Sequence, residues 1–197
     1  MQTSLLKSLG MSGIARGLKL PYAQMDRMSE LSFLRQLLMH LRIDCVLDVG
    51  ANVGQFAREL RGIGYEGHIV SFEPIASVFS ALQQSFAGDT KWRGFHLALG
   101  AQEGSMMITV PKLTVLSSLL DSNVVESGTR KEPVTVKRLD QLLPTLTQEL
   151  GVSRVFLKMD TQGYDLEVFR GASGCIDGIL GLQSELSVQP FYVNMPH

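Results

Sequence analysis

The sequence predicts an α/β fold built on a doubly wound, mostly parallel sheet. Two observations carry that expectation. Short, nearly unbroken apolar runs recur at Cys45 to Val49, Ile69 to Phe72 and Val155 to Asp160, as strands covered on both faces require. Between the first two, and after the second, apolar residues recur at helical spacing. Strand, helix, strand, helix, strand in this order implies right-handed crossovers and a parallel sheet.

The elements follow in order. From Ser29, a plausible N-cap, Leu31, Leu34, Leu38 and Leu41 repeat at three and four, with Phe33 and Leu37 widening the stripe. Residues 1–41 thus read as a leader plus one helix, and residues 42–197 as the main domain. Cys45 to Val49 is the first strand, ending in Gly50, and a helix from about Gln55 buries Phe56 and Leu60 before Gly62 and Gly64. Ile69 to Phe72 is the second strand, and Pro74 forces Glu73 out of the helical region. Ile75, Phe79, Leu82 and Phe86 mark the next helix, and a third strand is expected within Gly94 to Leu99. Met106 to Val110 and Val134 to Val136 read as a hairpin-like insertion around loop 111–131, which is either a mobile loop over a site or an inert surface loop. Val155 to Asp160 is a further buried strand; a helix over about Leu166 to Phe169 and a last strand near Ile179 to Leu186 follow.

Composition narrows the function. The chain has 197 residues, 45% hydrophobic and 19% charged, with Lys+Arg 18 against Asp+Glu 19. One folded domain fits that length. A net charge of −1 supplies no basic face, so a nucleic-acid partner is not expected. Cys45 and Cys175, each inside an apolar stretch, read as two buried thiols in a reducing, cytoplasmic protein rather than a disulfide framework. No run reaches the roughly 18 apolar residues of a membrane span. The basic N-terminus (Lys7, Arg16, Lys19) leaves a transit peptide or a membrane-surface helix as alternatives to a plain leader.

In an open α/β sheet, ligands sit beyond the carboxyl ends of the strands. The first strand ends Asp48-Val49-Gly50-Ala51-Asn52-Val53-Gly54, which puts a carboxylate at the mouth and two glycines in a sharp turn. A dinucleotide fingerprint would want glycine where Asn52 stands, and no lysine follows as in a P-loop. The second strand ends in Glu73, an acceptor for vicinal ribose hydroxyls. A glycine turn with a ribose hook and no phosphate donors describes a nucleoside ligand without phosphate, S-adenosylmethionine being the common one. Asp48, Glu73 and Asp160 would favour its cationic sulfonium. The bland alternative is a tight turn beside a solvated carboxylate.

The runs VLDVGANVGQFA (Val46 to Ala57), SFEP (Ser71 to Pro74), LKMDTQGYDLEVFRGA (Leu157 to Ala172) and LQSELS (Leu182 to Ser187) together resemble the FkbM-type methyltransferases, from about Cys45 to His197. That resemblance implies a class I (Rossmann-like) S-adenosylmethionine-dependent methyltransferase fold acting on hydroxyls of sugars, glycolipids or polyketide-derived natural products. By position it implies that Asp48, Gly50, Asn52, Gly54 and Glu73 line the cofactor pocket, with Asp160 and Gln162 beside the methyl group. Two departures stand out. Ala98-Leu99-Gly100-Ala101-Gln102 lacks the acidic residue many members carry after the third strand. The family's sheet ends in a hairpin for which PFYVNMPH (Pro190 to His197) leaves no residues, so a truncated sheet is expected, with an exposed last edge that favours a homodimer.

For the chemistry, Asp160 is the first candidate for base or acceptor-positioning group and Glu185 the second. Lys158 reads as either a surface lysine or a charge partner for Asp160. No ligand spacing requires a metal, and His40, His68, His96 and His197 form no cluster. The expected partner is a small-molecule acceptor. Two further readings stay open: a truncated relative that binds cofactor weakly or not at all, and an NAD-type oxidoreductase.

Overall fold

Every residue of the first strand, β1 (Cys45–Val49), is buried, because each face of the strand meets a layer of helices. The computed structural model describes residues 22–110 and 130–184. In chain order the elements are α1 (Tyr22–His40), β1, α2 (Gln55–Gly62), β2 (His68–Phe72), α3 (Ala76–Ser85), β3 (Trp92–Phe95), β4 (Ala98–Leu99), β5 (Gly104–Val110), β6 (Arg130–Lys137), α4 (Leu139–Leu150), β7 (Val155–Met159), α5 (Asp165–Gly171), a 3₁₀ turn (Ile176–Gly178) and β8 (Ile179–Ser184). The main sheet runs β3-β2-β1-β7-β8, and all four pairings are parallel. The fold is therefore the doubly wound α/β type the sequence predicts.

Side-chain alternation splits the core in two. Val46, Ile69 and Phe156 pack against Leu34 and Leu38 of α1, Phe56 and Leu60 of α2 and Leu82 of α3. Leu47, Val70 and Leu157 face Leu139, Leu143 and Leu146 of α4 and Val168 of α5. Between β1 and β7 the order of the sheet reverses, which is where such sheets open a crevice. A three-stranded sheet, β4-β6-β5, carries a smaller core in which Ile75 and Val78 meet Ala98, Ile108, Val134 and Val136. β5 and β6 pair antiparallel, as the hairpin reading requires; most of loop 111–131 lies outside the described residues.

Four local expectations need correction. Helix α1 starts at Tyr22 rather than Ser29, since no Gly or Pro interrupts residues 22–40. Phe33 is 65% exposed, so the buried stripe of α1 is narrower than its sequence suggests. The stretch Gly94 to Leu99 is not one strand. β3 begins at Trp92, whose indole N–H donates to Ser71 Oγ at 3.0 Å, and the chain then leaves the sheet at His96, which stacks on Phe79. Helix α4 has no counterpart in the sequence reading; Pro144 inside it disguises the buried spacing of Leu139, Leu143 and Leu146.

Cys45 and Cys175 are both free thiols, but only Cys45 is buried as expected; Cys175, in the turn ahead of the 3₁₀ segment, is half-buried. No helix among the described residues is long and apolar enough to cross a membrane. β8 covers Ile179–Ser184, and Glu185 to Leu186, like the rest of the chain's end, lies outside the described residues.

Candidate functional site

A cavity of about 670 Å³ opens beyond the carboxyl ends of β1, β2, β7 and β8, within the size range of small-ligand sites. Its rim begins with the turn after β1. Gly50, Asn52 and Gly54 all take positive φ there, at 75°, 50° and 87°. Gly50 is required by a close approach as well: a Cβ on it would lie 2.1 Å from the Asp160 carbonyl oxygen. Its N–H and that of Ala51 both donate to the Phe72 carbonyl, binding the turn to the end of β2. Gly54 does a different job. A Cβ there would strike Leu82 and Phe86, so this glycine lets α2 start against α3 and stands back from the cavity wall.

Asn52 holds its left-handed conformation by accepting the Val53 N–H on its own Oδ1 at 2.7 Å. That aims the Asn52 N–H at Glu73, whose Oε2 accepts it at 2.9 Å while Oε1 accepts the Ile75 N–H at 2.9 Å. Glu73 is only 5% exposed yet lines the cavity, so its carboxylate is fixed, with further lone pairs for a ligand. Burial pushes its pKa up to about 7, against the pull of the two N–H donors.

Asp48 is not at the mouth. It is fully buried behind the rim, beside Lys158 in the register of β1 and β7. Lys158 reaches over the Phe56 ring to Asp48 Oδ1 at 3.1 Å and Asp160 Oδ2 at 3.5 Å. The lysine is thus a buried charge partner for both aspartates, and a closer one for Asp48. Burial raises the Asp48 pKa, Lys158 opposing, and Asp48 Oδ2 has no hydrogen-bond partner.

Asp160 does face the cavity, and its Oδ1 accepts the Gln162 side-chain N–H at 3.0 Å. Gln162 itself sits at φ 53° in the tight loop after β7. The loop is clamped by a residue with no role in the sequence reading. Asp165 accepts the Thr161 N–H at 2.8 Å and hydroxyl on Oδ1, and the Ser184 hydroxyl at 2.6 Å on Oδ2, tying the loop to the end of β8. Its signal was its place in the first turn of the helix after the loop. Glu185 lies outside the described residues, although Gln183 and Ser184 before it line the cavity. Arg27, Glu30 and Tyr164 also reach the wall, and none of them was singled out from sequence. Among the described residues no group of three or more His, Cys, Asp and Glu side chains is placed to hold a metal ion.

No curated protein sequence matches the chain. Among solved structures, a Staphylococcus aureus protein described as a caffeoyl-CoA O-methyltransferase aligns at 8% identity with a TM-score of 0.42, covering 91% of this chain and 62% of that one. The present chain therefore spans about three-fifths of that protein's length. A family model for the methyltransferase FkbM domain matches residues 48–183, from the buried Asp48 through the loop after β7 to the penultimate residue of β8. With that match extending over well more than half of its length, the protein belongs to the FkbM methyltransferase domain family.

Proposed function

We propose that the protein transfers a methyl group from S-adenosylmethionine to a hydroxyl of a small acceptor, of the sugar, glycolipid or natural-product kind. The observation that carries this reading is Glu73. Its carboxylate is fixed by two backbone N–H groups at the end of β2, one turn from Gly50 and Ala51, where a nucleoside's ribose can donate to it. The wall suits such a cofactor in sign too. Its described cations, Arg27 and Lys158, each sit beside two carboxylates, so the wall has no surplus positive charge for a doubly anionic pyrophosphate. Isothermal calorimetry tests the reading directly: S-adenosylhomocysteine binds and NAD does not. The reverse pattern would assign the cavity to a nicotinamide enzyme.

When bound, S-adenosylmethionine supplies a methyl carbon already activated by its sulfonium. The chain's own residues must then align the acceptor, exclude water and take the hydroxyl proton. Asp160 takes that proton on its carboxylate. Gln162 and Lys158 hold the carboxylate's orientation from either side. Replacing Asp160 with Asn keeps the shape and removes the base. The expected result is S-adenosylhomocysteine affinity within a few-fold of wild type and turnover lower by about 10²-fold. Equal losses in both would make Asp160 a cofactor ligand instead.

Glu73→Ala should weaken S-adenosylhomocysteine binding by about 1–3 kcal/mol, the worth of charge-assisted hydrogen bonds to buried hydroxyls. The pH profile is a finer check. Binding uses the ionised carboxylate, so with a pKa of about 7 the affinity falls about tenfold from pH 8 to pH 6. Stability of the ligand-free protein runs the other way. A carboxyl whose folded pKa lies above its unfolded value favours the fold at low pH and loses that contribution as pH rises through about 7. A flat binding profile between pH 6 and 8 would remove the ribose assignment.

A further inference from the structure

The cavity wall has an apolar part and a charged part. Ile75, Leu97 and Leu99 wall the first, beside Glu73; Arg27 and Glu30 of α1 and Glu59 of α2 wall the second. Arg27 grips Glu59 with two donors, Nε to Oε1 at 3.1 Å and Nη2 to Oε2, and reaches Glu30 Oε2 from Nη1 at 2.9 Å. A guanidinium carries five N–H groups, so these three bonds leave one N–H on each Nη. Lys158, the other cation of the wall, is committed to Asp48 and Asp160 at the strand ends.

We propose that this charged part binds the amino-acid tail of the cofactor, Arg27 receiving its α-carboxylate and Glu59 its α-ammonium. The proposal rests on the S-adenosylmethionine reading above and extends it to α1, which lies outside the family-matched residues 48–183. Glu73 fixes the ribose, and the flat, weakly polar adenine belongs with Ile75, Leu97 and Leu99. The remaining part of the ligand is a zwitterion, which needs a cation and an anion side by side. The Arg27–Glu59 pair supplies both, and a planar guanidinium suits a carboxylate in a way a lysine does not. The pair also joins α1 to α2, so a tail seated there would be held by two of the three helices that cover this face of the sheet.

The test compares two ligands by calorimetry: S-adenosylhomocysteine, and 5′-methylthioadenosine, which keeps the nucleoside and sulfur but lacks the tail. Wild type should prefer S-adenosylhomocysteine by about tenfold or more. Arg27→Ala should weaken S-adenosylhomocysteine by about 10–100-fold and leave methylthioadenosine within about twofold, so that the preference collapses. Arg27→Lys should fall between, keeping the charge and losing the planar fork. The Arg27 side chain is 45% exposed, so its removal should barely move the melting temperature; Arg27→Gln, which keeps the length, serves if the alanine variant misfolds. Equal losses for both ligands would make Arg27 a mere support for α1 and overturn the proposal, as would no loss at all. A wild type that binds both ligands equally well would sink the tail site and leave the cofactor reading standing. A wild type that binds neither would take down that reading and this proposal with it.

Discussion

Gly50→Val should cost about 3 kcal/mol of stability and abolish S-adenosylhomocysteine binding. Two penalties combine. A β-branched residue at φ 75° is strained by about 1–3 kcal/mol, and the new Cβ would stand 2.1 Å from the Asp160 carbonyl oxygen, where only backbone can give way. The second penalty is the functional one. Asp160 N–H donates to the Val49 carbonyl, so pushing the Asp160 backbone away strains the last hydrogen bond between the ends of β1 and β7 and moves the proposed base with it. The collision therefore lies within the protein, between the β1 turn and the backbone after β7. Because the clash is at Cβ, Gly50→Ala should share most of the loss. Gly64→Ala provides the comparison, since Gly64 has a similar φ of 83° and a methyl group added to it would meet nothing within 4 Å. Urea unfolding of the two alanine variants separates backbone strain from collision. Equal midpoints would show that Gly50 is needed for its φ alone.

What was legible in the sequence is what short-range pattern determines. β1, β2 and β7 announce themselves because a strand buried on both faces needs an unbroken apolar run, and α2 because Phe56 and Leu60 fall four apart before a cluster of glycines. Glu73 is legible for a similar reason, since the residue that ends a strand of an open sheet faces its crevice. Asp48 is misplaced by the same logic because facing depends on alternation and on a neighbour 110 residues away. Parallel register sets it beside Lys158, and no local pattern reveals that pairing. Arg27 and Asp165 escape on the same ground. One lies in a helix whose start the sequence disguises, and the other acts by bonding to Ser184, 19 residues on.

Lys158→Met should destabilise the protein by about 3–5 kcal/mol, the usual cost of removing one partner from a buried ion pair. The side chain of Asp48 is completely enclosed and that of Lys158 is 9% exposed, so losing the ammonium strands a buried carboxylate. Asp48 is already under strain of this kind, for its Oδ2 has no partner and burial raises its pKa even with the lysine present. Without Lys158 the pKa must rise further. The sign of the pH dependence follows. A carboxyl whose folded pKa lies above its unfolded value stabilises the fold at low pH and ceases to as pH rises through the folded pKa. The deficit of Lys158→Met relative to wild type should therefore be greatest at neutral and alkaline pH and shrink on acidification, as Asp48 escapes its charge by taking a proton. Adding Asp48→Asn removes the stranded charge, so the double variant should be more stable at pH 8 than Lys158→Met alone, with a coupling energy well above about 1 kcal/mol. Urea unfolding of wild type, both single variants and the double variant at pH 5.5 and pH 8 measures that coupling. Additive effects at pH 8 would mean that the two side chains do not share their charge, and that Lys158 serves Asp160 alone.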